Sequence, residues 1–122
     1  MTNRLLFFTV LTGIVMYFAS CSKASEDMLM PQQCDTVDMR YSTDILPIIT
    51  SNCYRCHGNG NVTNGVDLDG YANLKARAAN GDLVGVISHA DGYPPMPGDG
   101  GKLSDCEINK IKAWIRRGAP DN

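Results

Sequence analysis

The sequence predicts an all-α domain of about four short helices over residues 34–122. Three observations carry this. In the closing segment Ile108, Ile111 and Ile115 recur at spacings of 3 and 4, which places them on one face of a helix. Glycine- and proline-rich stretches cut the preceding chain into pieces of short-helix length. No run alternates apolar and polar residues over the length of a strand.

Ahead of that domain, residues 5–19 form an uncharged, largely apolar run of 15 residues behind the lone cation Arg4. The run is shorter than the roughly 20 residues that cross hydrocarbon as a helix. A basic start, an apolar stretch and small residues at the end read as an export signal over residues 1–20. Its end, Phe18-Ala19-Ser20-Cys21, resembles a bacterial lipobox, with Phe18 where that motif usually carries Leu. The resemblance implies that Cys21 is acylated and becomes the first mature residue; an uncleaved anchor or a plain signal is the alternative. Residues 21–33 are mostly polar and read as a lipid-anchored linker, able to span on the order of 20 Å as flexible coil.

Within the domain, residues 42–52 carry Ile45, Ile48 and Ile49 on one face, with Pro47 tolerable only near the first turn. Gly58, Gly60, Gly65 and Gly70, interleaved with Asn59, Asn61 and Asn64, mark a long loop. A helix follows over residues 71–80, stopped by Gly81, and a shorter one over 83–88. Residues 89–102 hold four Gly and three Pro and should form an irregular but structured loop. The last helix opens on a Ser104–Glu107 capping box and closes at Gly118. Trp114 lies beside its apolar stripe, and Arg116 and Arg117 meet the negative end of its dipole.

The formal charge of -2 gives no electrostatic case for a nucleic-acid partner. A domain of 89 residues is one whose core burial is marginal, so something besides side chains is expected to complete it. The decisive string is Cys53-Tyr54-Arg55-Cys56-His57, the Cys-x-x-Cys-His of c-type haem attachment. Two thiols three positions apart can add across the two vinyl groups on one porphyrin edge, and the next residue then brings an imidazole under the ring. A thiol-redox pair would want a βαβ context that this chain does not offer. A zinc site could recruit Cys34 and Cys106, although exported thiols tend to be oxidised.

Haem iron in an electron carrier takes a sixth ligand, and a Met thioether raises its potential. Met96 lies 39 residues after His57, within Tyr93-Pro94-Pro95-Met96-Pro97, where prolines restrict the backbone. His89 is the competing ligand, and an open sixth position is the third possibility. Arg55 reads as solvated, with contact to a haem propionate as the functional alternative.

The array of a helix, CYRCH, a Gly-rich loop, Met-Pro and a capped final helix bearing Trp114 resembles the class I c-type cytochromes over roughly residues 41–119. The resemblance implies a small cytochrome c-like fold around one haem c, linked to Cys53 and Cys56, with His57 proximal and Met96 distal to the iron. In that family the first and last helices cross near the haem, often through a Gly–aromatic contact. Here Trp114 faces a first helix of Ile45, Ile48 and Ile49 with no Gly.

With Cys21 acylated and Cys53 and Cys56 on haem, Cys34 and Cys106 remain and are expected to form a disulfide in an oxidising compartment. The expected function is one-electron transfer between redox partner proteins of the bacterial cell envelope, with the protein exported and held to the membrane by lipid. It is not expected to be an enzyme, since two filled axial positions leave no substrate site. The alternatives are an open-site haem enzyme, a gas or ligand sensor, or a structural lipoprotein with an incidental motif.

Overall fold

The computed structural model describes residues 34–122, and the signal, Cys21 and linker expectations lie outside them. The described residues are helical without strands. A π-helical turn, Tyr41–Ile45, runs directly into α1, Leu46–Asn52. Then come α2, Tyr54–His57; a 3-10 turn, Thr63–Gly65; α3, Tyr71–Ala79; α4, Asp82–Ser88; and α5, Asp105–Arg116. Five helices thus stand where the sequence pattern predicts about four, because the CYRCH segment makes a helical turn of its own.

The widened first turn has a local cause. Pro47 cannot donate an N–H, and its ring crowds the carbonyl four residues back. Opening the turn before it, with Leu46 N–H reaching Tyr41 O, lets the helix continue through the proline. The N-terminus of this helix is capped from the far end of the sequence. Asn122 Oδ1 accepts from Tyr41 N at 2.9 Å, and Asn122 O accepts from Ser42 N at 2.9 Å. Two N–H groups that a helix start leaves without partners are satisfied in this way.

The start of the first helix and α5 meet in the centre of the core. Ile45, Ile49, Ile111 and Trp114 are all fully buried, and Tyr41 stacks on Trp114 with ring centroids 6.0 Å apart. Tyr71, from α3, packs edge-on against Tyr41 at 5.2 Å. Aromatic contacts and isoleucines, with no glycine, thus make this meeting of the first helix and α5. The stripe of α5 is centred on Ile108, Ile111 and Trp114, while Ile115 is only half-buried. Trp114 has the larger apolar surface to bury, and its Nε1–H donates to Pro120 O at 2.9 Å, so the indole loses no hydrogen bond on burial. At the other end of α5 the capping box forms in full, with Ser104 N donating to Glu107 Oε2 and Glu107 N donating to Ser104 Oγ.

Candidate functional site

The Cys53–His57 segment is held as a tight turn by one carbonyl. Cys53 O accepts from Cys56 N at 3.1 Å and from His57 N at 2.9 Å. The turn follows directly on α1, and Cys53, Cys56 and His57 all border one cavity. Gly58 then leaves the helix in an extended conformation, and a Cβ there would collide with the Tyr54 ring at 2.5 Å.

His57 is buried at 9 % exposure, and its Nδ1 lies 3.1 Å from Val66 O. A carbonyl oxygen can only accept, so Nδ1 carries the proton and the lone pair of the neutral ring is on Nε2. The strand of loop that supplies this carbonyl is itself tied back, with Leu68 N donating to His57 O at 2.8 Å. Such an outer partner fixes ring orientation and raises ligand basicity. The sequence reading missed Val66 because a backbone acceptor leaves no side-chain signature.

Two cavities, of about 280 Å³ and 230 Å³, adjoin the motif. Cys53, His57, Ile87 and Met96 border both. Cys56, Arg55 and Leu103 add to the wall of the first; Val66, Leu68, Leu83 and Val86 line the second. Together they fall within the roughly 300–1,000 Å³ of small-molecule and cofactor sites, and their walls are largely apolar. The chemistry of this donor set fits haem c: two unpaired thiols, one imidazole with its second nitrogen available, and one thioether around an apolar slot. Burial pushes the Cys53 thiol up to about 11, the opposite of the lowered value that marks a reactive redox cysteine.

Met96 is half-buried in the loop after α4. Its N–H donates to Val86 O at 3.0 Å. His89, the rival ligand, borders neither cavity; its Nε2 lies 3.1 Å from Met96 O, so it meets the loop rather than the slot. Arg55 Nη2 pairs with Asp99 Oδ2 at 2.6 Å, and both side chains are exposed. The Arg55 guanidinium holds the Asp99 carboxyl below the usual carboxylate range. Cys34 and Cys106 are joined as a disulfide with Cα atoms 5.4 Å apart, which removes them from any thiolate set around the CYRCH turn.

The sequence model of the family described as Cytochrome C oxidase, cbb3-type, subunit III matches residues 44–115. That span runs from the first helix through the CYRCH turn and Met96 to the end of α5. No curated protein and no solved structure matches the chain.

Proposed function

Because the chain belongs to the family of cbb3-type cytochrome c oxidase subunit III, whose members contain a c-type cytochrome domain, we propose that it is a one-electron carrier of the bacterial cell envelope with a single haem on Cys53 and Cys56. As in that family, the domain binds covalently attached haem c, serves haem-based electron transfer with redox partners, and is a carrier rather than an enzyme.

The observation that carries it is the shared border of the two cavities. Cys53, His57 and Met96 lie on both, so thiol, imidazole and thioether converge on one slot. In this reading Cys53 and Cys56 would hold the haem through thioether bonds, each Sγ–H adding across one vinyl group with no leaving group. His57 offers Nε2 to the iron while Val66 O keeps the Nδ1 proton in place. Met96, which borders both cavities, would offer its sulfur, a soft ligand that favours ferrous iron. A haem held there would supply the one-electron chemistry, ferric to ferrous, between a donor and an acceptor protein. Ile87, Leu83 and Leu103 keep water from that site, since all three are apolar wall residues. Export with acylation at Cys21 completes the reading, resting on the apolar run of residues 5–19 and the Phe18-Ala19-Ser20-Cys21 string.

Acid–organic extraction of the purified protein tests the attachment. Haem should stay with the polypeptide, and the Cys53→Ala, Cys56→Ala double variant should yield no holoprotein; haem extracting freely from the wild type overturns the proposal. A ferrous spectrum unchanged by carbon monoxide is expected of a carrier with both axial positions filled, whereas a ready shift favours the open-site enzyme or sensor. Mass spectrometry should find diacylglycerol on Cys21, and a mature chain still beginning at Met1 contradicts the anchor.

A further inference from the structure

We infer that His89 is a positioning residue that holds the backbone of Met96, and through it the sulfur, against the C-terminal end of α4. The inference rests on the reading of Met96 as the distal ligand.

The segment Tyr93-Pro94-Pro95-Met96-Pro97 has few means of fastening itself. Its three prolines have no N–H, so between residues 94 and 97 Met96 supplies the single backbone donor. That donor goes to Val86 O at 3.0 Å, and the Met96 carbonyl faces His89 Nε2 at 3.1 Å. The carbonyl accepts, so Nε2 donates. Both polar groups of one residue are thus taken by the last turn of one helix. A third contact seats the segment on the same helix. Gly85 lies beneath the Tyr93 ring so closely that a Cβ would fall 2.5 Å from it. Residues 93–95 and 98–100 are otherwise exposed. Three neighbours on α4 and its cap therefore carry the placement of Met96.

His89 also closes the helix against which Met96 is fastened. It caps α4 in the left-handed region, at φ 54° and ψ 44°, where glycine is the residue at ease. A side chain with a Cβ is strained there. The His89 imidazole is engaged with Met96 O alone among the hydrogen bonds of its side chain. His89 borders neither cavity, so it acts through Met96 and is not itself a ligand.

The test uses the ferric holoprotein, with cyanide as the probe of how readily the sixth position opens. His89→Gly and His89→Phe should raise the cyanide association constant about three- to tenfold, the weight of one ordinary hydrogen bond. His89→Gln, which can restore an N–H toward the carbonyl, should return it to within about twofold of wild type. His89→Gly relieves the backbone, so its melting temperature should not fall with its grip on Met96, and a general loosening is thereby separated from a local one. Cyanide binding equal to wild type in the Gly and Phe variants overturns the inference, as does a Gln variant that behaves like Gly. Met96→Ala is run alongside. If it leaves both cyanide affinity and the sulfur–iron charge-transfer band unchanged, the ligand reading itself has failed; if it alters both while the His89 variants do nothing, this inference alone has failed.

Discussion

The Nδ1–H of His57 donates to the carbonyl of Val66 across 3.1 Å, and this contact closes the glycine-rich segment 58–65 between them. The loop arrives there through Asn64 and Gly65, both at positive φ, of which Gly65 at 72° is comfortable only without a Cβ. Gly65→Val should therefore cost about 1–2 kcal/mol and pull Val66 O away from the ring. A less firmly hydrogen-bonded imidazole is a weaker donor to the oxidised iron. The reduction potential of the variant should rise, measured by redox titration beside denaturant unfolding of the same holoprotein.

The disulfide sets the stability of the domain's two ends. Cys34 precedes the first helix and Cys106 lies in the first turn of α5, so the bridge closes a loop with a separation of 72 residues. In the chain-entropy model such a loop is worth about 4 kcal/mol. The Cys34→Ser, Cys106→Ser double variant should lose most of that in urea unfolding while keeping its haem spectrum, because neither residue borders the cavities. Peptide mapping without reductant should recover the linked pair from the wild type.

Glu107 gives the fold a dependence on acid. Burial alone would raise its carboxyl, but the hydroxyl and backbone N–H of Ser104 and the amide of Asn52 outweigh it and hold it below the usual range. A carboxylate lowered in the folded state contributes stability that is full above the unfolded value of about 4.3. That contribution is lost as pH falls through the lowered folded value. Glu107→Gln keeps an acceptor for the Ser104 N–H but no charge. Its stability should lie below wild type at neutral pH, and the two curves should converge in acid, as followed by urea melts at a series of pH values. Ser104→Ala should cost about 1 kcal/mol.

What could be read from the sequence was local. Ser104 and Glu107 sit three apart and cap a helix wherever that helix goes, and Gly81 and Gly118 end theirs by their own φ. Cys53, Cys56 and His57 carry their chemistry in their spacing. What escaped were relations set by the path of a loop. Gly85 reads as one more member of a short helix, and its place beneath the ring of Tyr93 has no periodicity to announce it. His89 counts in a sequence as a nitrogen ligand; only the fold turns Nε2 toward the carbonyl of Met96. The same holds for Asn122, whose capping of Tyr41 and Ser42 joins opposite ends of the domain.

Met96 decides between a carrier and an open-site protein, and its replacement is the most informative single change. The residue borders both cavities together with Cys53 and His57, on a loop fastened to α4 by Val86 and His89. Met96→Ala removes the thioether without touching those backbone contacts, so the loop should stay in place and the domain should still fold. The sulfur–iron charge-transfer band should disappear. The potential should fall, since a soft ligand that favours ferrous iron is gone. Carbon monoxide should bind the ferrous form and cyanide the ferric form far more readily than in wild type. The His89 variants, by contrast, should keep the band, because the thioether remains. A Met96→Ala protein with an unaltered band and potential would assign the sixth position to another residue and return the choice between carrier and sensor to that ligand.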